Sequence, residues 1–496
     1  MTAAARGGAP DAEHVDVLIV GAGLSGIGAA CHLQQRCPER SFALLESRER
    51  SGGTWDLFRY PGVRSDSDMY TLGYGFRPWR GREAIAAGPS ILAYVRETAR
   101  EYGVDQRIRY RRRVTSAAWS TAAARWTVEI EADGGAARER MSCAFLSLCC
   151  GYYRYDAGYA PAFAGMDGYG GRVVHPQFWP EGLRWDGQRV VVIGSGATAM
   201  TLVPAMARAA AHVTMVQRSP TWVAARPSED PLARRLRGWL PTRAVHALAR
   251  WKQVLLGLYF FDLCRRNPER AKQLLRGGVR LCLGPEAARL EAHFQPRYDP
   301  WRQRLCLLPD ADLFRALRAG KVSIETDEIE RFTARGLALR SGRHVDADIV
   351  VTATGLELEV LGGIALTVDG HAVNPPEHFS YKGMMLSEVP NLAACTGYTN
   401  ASWTLKADLT SAYVCRLLRH MRRHGYVQCM PRNLDPALGA RPWIDFSSGY
   451  VQRSLARFPK QGARAPWRLY QNYLKDLISL RFGRLEDGTL QFRAAA

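Results

Sequence analysis

Twice along this chain a short run of β-branched residues ends in a glycine-rich loop that opens a helical stretch, and few folds accommodate that order. Residues 15–20, VDVLIV, have the composition of a buried parallel strand. They run into Gly21-Ala22-Gly23-Leu24-Ser25-Gly26, and residues 27–35 continue in a helical pattern. Strand, G-x-G-x-x-G and helix in that order are what a pyrophosphate site requires. Gly21 permits the tight turn, Gly23 lets phosphates approach the backbone, and Gly26 lets the helix lie against the strand. Residues 189–193, RVVVI, repeat the strand; Gly194-Ser195-Gly196-Ala197-Thr198-Ala199 repeats the loop, with alanine at its third position, and a helix is expected through about Ala209. The pattern predicts an α/β fold with two dinucleotide-binding Rossmann-like domains.

The end of each unit's second strand distinguishes the two ligands. After residues 41–45 comes Glu46, an acid placed to accept hydrogen bonds from a ribose hydroxyl. After residues 212–216 come Gln217, Arg218 and Ser219, and an arginine in place of an acid offers charge and a planar fork to a 2′-phosphate. The second unit is therefore expected to take NADPH. Beyond the first unit's acid lie Gly52-Gly53-Thr54-Trp55, then Arg59-Tyr60-Pro61-Gly62, then Asp66. Paired glycines let the backbone approach a flat ring, and Trp55 and Tyr60 supply aromatic walls. That predicts a cofactor larger than a nicotinamide dinucleotide, namely FAD.

Between the two loops lies Tyr169 to Pro180, YGGRVVHPQFWP, with Gly171, His175 and Trp179 spaced four apart. A connector needs only to be polar and flexible; this one carries too much chemistry for a spacer. Residues 231–290 are helical in pattern and very basic, with an apolar centre VLLGLYFF. They are expected to form a helical insert packed on the NADP unit, with an amphipathic surface helix on anionic lipid, a subunit contact and a tunnel lid as alternatives. Arg304 sits in QRLCL, and an arginine among apolar residues calls for an anion. Asp66 is one candidate partner. Residues 348–355, DIVVTATG, form a buried strand that suits the crossing back into the flavin unit, and Ser402 or Thr404 is placed to cap a helix through about Arg419.

The domains expected are a tail at 1–14, a first FAD part at 15–165, an NADP unit at 166–348 with the insert at about 231–290, and a second FAD part with a C-terminal cover at 349–496. The tail lacks the apolar core of a secretory signal and no apolar run reaches the roughly 20 residues of a membrane span, so a cytoplasmic protein is expected. Eleven scattered cysteines without a C-x-x-C pair argue against a disulfide reductase and a metal site. The net charge of +20 is diffuse, which suits a holder of two polyphosphate cofactors better than a nucleic-acid binder, and weak association with a membrane surface is one further expectation.

These pieces in this order resemble the class B flavoprotein monooxygenases. Residues 169–180 resemble the fingerprint of their Baeyer–Villiger branch, F-x-G-x-x-x-H-x-x-x-W followed by Pro or Asp; Tyr169 replaces the phenylalanine, while Gly171, His175, Trp179 and Pro180 match. GGTWDLFRYPG, RSDSDMYTLG, QRSPT, QRLCL, YKGMML and GYTNASWTLKAD are similar to segments of the ethionamide-activating monooxygenases of mycobacteria. The resemblance implies that NADPH reduces FAD, that O2 adds at flavin C4a, and that the peroxyflavin attacks a ketone to give an ester or lactone; sulfides and thioamides are implied as softer substrates. It makes Arg304 the catalytic arginine, Asp66 its partner, and His175 a link between domain movement and cofactor position. Arg302, where an acid is expected, departs from the pattern. An N- or S-oxygenating flavin monooxygenase is the alternative, and a non-catalytic basic adaptor a remote one.

Overall fold

The computed structural model describes residues 13–495. The expected tail lies outside them except for residues 13 and 14, which already belong to a strand. β1 (Glu13–Val20) runs into α1 (Leu24–Arg36) and β2 (Phe42–Leu45). β1 lies parallel between β2 and β3 (Ala137–Leu148), with Val17 opposite Phe42 on one side and Phe145 on the other. Its residues 17–20 are all buried because layers cover both faces of the sheet, which is why the run reads as continuously apolar. The sheet has nine strands and takes an antiparallel extension through Arg112–Ser120 and Arg125–Ala132.

The chain leaves this sheet through β4 (Tyr153–Gly158) and builds a second one from β5 (Arg172–Val174), β6 (Arg189–Ile193), α2 (Ala197–Met206) and β7 (His212–Gln217). Next come β8 (Val223–Arg226), the insert helices α3 (Thr242–Arg266) and α4 (Pro268–Leu283), and β9 (Cys306–Pro309), which pairs with β8. β10 (Val322–Thr326) and β11 (Ile349–Thr352) complete a five-stranded parallel sheet in the order β10-β7-β6-β11-β5. Residues 349–352 thus close the second sheet instead of starting the return, and the boundary expected at 349 moves past Thr352: their buried side chains pack between β5 and β6. The crossing is β12 (Leu356–Leu358), which pairs antiparallel with β4, so the outgoing and returning chains form one two-stranded ribbon.

The insert departs from expectation. α3 packs on the first unit: Val245 and Ala249 meet Tyr70 and Ala84, and Arg250 donates to the carbonyls of Tyr70 at 2.8 Å and Gly73 at 2.9 Å. These two bonds fix the middle of α3 to the first unit. α4 does pack on the second unit, where Val279 and Leu283 join its core. The helix α5 (Trp403–His424) follows Ser402 but takes no side-chain cap from it. The Ser402 hydroxyl bonds the Thr71 hydroxyl at 2.6 Å and the Thr404 hydroxyl donates to the Leu72 carbonyl at 2.5 Å, so both expected caps tie α5 to the short helical turn Met69–Leu72 that follows Asp66. The helix runs past Arg419 and stops at Gly425, whose φ of +68° ends it.

Candidate active site

Both glycine-rich loops border a single cleft of about 620 Å³ between the two sheets. Its lining includes Gly21, Gly23, Glu46, Gly53, Thr54, Trp55 and Asp66 from the first unit, Gly196 and Thr198 from the second, and Arg304. This is where the carboxyl ends of parallel strands place ligands. A Cβ at Gly21, with φ +102°, would lie 2.6 Å from the Cys149 carbonyl oxygen. Gly23 and Gly53 face each other, and a Cβ on Gly53 would come within 3.0 Å of the Gly23 Cα. Gly26 does not line the cleft; a Cβ there would sit 1.8 Å from the Gly21 carbonyl oxygen, so its work is to let α1 lie against β1. Neither α1 nor α2 has a side-chain cap at its N-terminus, which leaves their first N–H groups to a ligand. The glycine floor, the uncapped helix ends and the aromatic walls fit a flavin dinucleotide.

Glu46 is buried at the end of β2, where its carboxylate accepts from the N–H of Ala22 at 2.9 Å and of Arg48 at 3.0 Å. Burial raises its pKa, and those hydrogen bonds oppose the rise. Thr54 and Tyr155 share a hydrogen bond of 3.3 Å across the cleft. In the second unit Ser195 Oγ donates to the Ser219 carbonyl at 2.8 Å and meets the Thr221 hydroxyl at 3.0 Å, which ties the glycine loop to the end of β7. Arg218 is exposed beside it. Gly194, Ser195, Arg218 and Ser219 lie outside the lining of the cleft, just past the carboxyl ends of the adjacent strands β6 and β7.

Arg304 precedes β9 and reaches across to Asp66, 238 residues earlier: its Nε donates to Asp66 Oδ2 at 2.5 Å. The side chains are 33 % and 27 % exposed, and the exposed parts face cavities. Arg304 lines the cofactor cleft, a second cavity of about 550 Å³ beneath α3, and a small one bounded by Tyr152, Trp403 and Tyr450. Burial opposes its charge, but the Asp66 carboxylate prevails and holds the guanidinium well above its ordinary pKa. Tyr152 and Tyr450 are phenols pushed up by burial, so they stand beside this cation as neutral donors. Sequence reasoning missed both; the signal for Tyr152 is that Cys149-Cys150-Gly151-Tyr152 follows the carboxyl end of β3, and Tyr450 has no comparable one. Arg302 is exposed, and what it contributes is its carbonyl, which accepts from Ser447.

The segment from Tyr169 to Pro180 enters as β5 at the edge of the second sheet. Tyr169 donates its hydroxyl to the Ala347 carbonyl at 3.0 Å, and Gly171 has no room for a Cβ, which would lie 2.6 Å from the Asp348 carbonyl oxygen. His175 packs against Gly158 of the crossing ribbon, accepts at Nδ1 from the Gln177 N–H at 3.2 Å, and is kept below its usual pKa by burial. Gln177, also missed in the sequence, donates from Nε2 to the carbonyls of Arg154 at 2.9 Å and Tyr155 at 3.0 Å on β4. Trp179 packs edge-on to Trp185 at 6.0 Å. His175 does not line the cleft. It and Gln177 fasten the second unit to the ribbon that joins the two.

Comparison with known proteins agrees with this geometry. A family model described as flavin-binding monooxygenase-like matches residues 86–244, and one described as an NAD(P)-binding Rossmann-like domain matches residues 19–86. The FAD-containing monooxygenase EthA of Mycobacterium tuberculosis is 53 % identical over 481 residues, covering 97 % of this chain and 98 % of that one. The putative FAD-containing monooxygenase MymA of the same organism is 50 % identical over 489 residues, covering 98 % of each. Among solved structures, an oxidized steroid monooxygenase bound to NADP superposes with a TM-score of 0.75 at 21 % identity, covering 97 % of this chain and 100 % of that one. An open cyclohexanone monooxygenase gives 0.72 at 18 %, with the same coverage, and the two establish a shared fold.

Proposed function

The chain belongs to the FAD-containing monooxygenases, and on that premise we propose that it inserts one oxygen atom from O2 into ketones, with NADPH as reductant, to give esters or lactones. The balance is one ketone, one O2, one NADPH and one proton in, and one ester, one NADP⁺ and one water out. Gly21, Gly23, Glu46, Gly53, Thr54 and Trp55 would hold FAD, and Gly194, Ser195, Gly196, Thr198, Arg218 and Ser219 would hold NADPH. FAD held there would supply the hydride acceptor and the means of activating oxygen.

The observation that carries the reading is the Arg304–Asp66 pair at the junction of the three cavities. Arg304 stays protonated, so it stabilises negative charge developing on the transferred oxygen and on the substrate carbonyl without a proton transfer. Asp66 fixes the guanidinium plane and keeps it charged. The cavity beneath α3 is the room for substrate on the far side of that pair. His175 and Gln177 act at a distance, by holding the ribbon about which the two units are joined. A screen of ketones and sulfides with NADPH and oxygen, read by product mass, tests the assignment: esters or lactones from ketones support it, and sulfoxides alone with no ester would remove it in favour of S-oxygenation.

A further inference from the structure

The insert carries apolar side chains on two faces, and packing uses only one. Along α3, Val245, His246 and Ala249 are buried, whereas Leu248, Trp251, Leu255 and Tyr259, spaced three and four apart, form a second stripe that points outward. Leu255 is 53 % and Tyr259 is 65 % exposed. Just before α3, Trp239 is 86 % exposed. On α4, Leu274 is exposed and borders the same cavity as Leu256 and Gly257 of α3, and Leu281 is exposed as well. Trp251 meets Tyr473 edge-on at 6.0 Å, at the start of α6 (Tyr473–Phe482), whose Ile478 and Phe482 are exposed as well. Monomeric soluble proteins rarely leave an apolar surface of this extent unpartnered.

The rim of this patch is basic. Residues 231–290 hold thirteen arginines and lysines against three acids. Among the described residues Arg234, Arg235, Arg243 and Arg270 are exposed and outside the ion pairs that engage Arg265, Arg266 and Arg280. An apolar stripe with an exposed tryptophan and free guanidiniums around it complements the headgroup region of an anionic bilayer. No described helix is long and apolar enough to cross a membrane, so the contact is with the surface. The cavity beneath α3 opens at the same place: its lining runs from Arg304 and Asp66 out to Leu256, Gly257 and Leu274.

We propose that the helical insert seats the protein on an anionic lipid surface, with the mouth of this cavity against the acyl chains. Apolar molecules dissolved in the lipid then reach Arg304 without crossing water. A second copy of the chain fits the patch less well, because its own basic rim would face this one. The inference does not depend on which oxidation the site performs.

The test is co-sedimentation of the FAD-loaded protein with vesicles of phosphatidylcholine alone or with phosphatidylglycerol added. Binding is expected to be about tenfold or more stronger on the anionic vesicles and to weaken as salt is raised. L255D/Y259D changes two outward side chains; it should keep its flavin absorbance and unfolding midpoint while losing about tenfold or more in vesicle binding. R234E/R235E/R243E should lose the preference for anionic lipid. Equal binding to both vesicles, or none to either, overturns the proposal, as does L255D/Y259D binding like the parent. Should that variant fail to fold, the salt titration of the parent decides. A dimer that L255D/Y259D dissociates, with vesicles ignored, would make the face a subunit contact instead.

Discussion

Replacing Arg304 by alanine removes the one cation, among the described residues, that lines all three cavities. Among the described residues its side chain makes a single hydrogen bond, from Nε to Asp66, which leaves the rest of the fork free to face the cavities. Loss of one preorganised donor aimed at developing charge raises a barrier by about 3 to 4 kcal/mol, or a few hundred-fold in rate. The glycine floor and the uncapped end of α1 are untouched, so flavin should stay bound and hydride transfer should proceed. In stopped-flow experiments the anaerobic bleaching of flavin by NADPH should stay near the parent rate. Ester formation should fall a few hundred-fold, while NADPH oxidation continues with release of hydrogen peroxide. Arg304→Lys keeps the charge but not the planar fork and should lose less. If flavin reduction in Arg304→Ala drops in step with ester formation, the guanidinium serves hydride transfer and the role assigned to it is wrong.

Other outcomes follow from single groups. Arg218→Ala should raise the KM for NADPH about tenfold, the scale of one hydrogen bond to a charged group, and leave that for NADH unchanged; equal effects mean that Arg218 does not read the phosphate. Gly26→Ala forces a Cβ to within 1.8 Å of the Gly21 carbonyl oxygen, and the resulting strain of about 1–3 kcal/mol should show as lost flavin absorbance or a lowered unfolding midpoint; a variant with full flavin content and parental stability contradicts the packing described. His246 is 4 % exposed, its Nε2 has no hydrogen-bond partner among the described residues, and burial, then Arg250, lower its pKa to about 4. The folded imidazole is neutral, while the unfolded one takes up a proton below pH about 6.5. Its contribution is therefore intact above 6.5 and lost as pH falls toward 4, on the order of 3 kcal/mol in all. His246→Leu should flatten the decline of the urea midpoint across that window, and an unchanged slope would refute the assignment.

What could be read in the sequence was local. The two strand–loop–helix units show because a β-branched run and a glycine-rich loop, with three glycines in the first unit and two glycines and an alanine in the second, lie within a dozen consecutive positions. The roles of Arg304 and Asp66 are different: 238 residues separate them, and in the sequence only the resemblance to a family joins an arginine among apolar residues to a loop acid. The docking of α3 on the first unit was not legible either. Nothing in VLLGLYFF says that Arg250, just before it, will find the open carbonyls of Tyr70 and Gly73. The strand at 349–352 was visible, but its sheet was not, because a buried parallel strand has the same composition in either sheet. Gln177 lies inside the fingerprint, but its task depends on β4 lying beside it, which no local pattern shows.

The step assigned to the Arg304 junction is the direction of oxygen into a ketone. It is tested most directly by incubating the FAD-loaded protein with NADPH, a ketone and isotopically labelled oxygen gas, and weighing the product. One labelled oxygen per ester or lactone, formed in proportion to NADPH consumed and slowed a few hundred-fold in Arg304→Ala, is the result expected. Ketone recovered unchanged while a sulfide in the same mixture gains the label would contradict it.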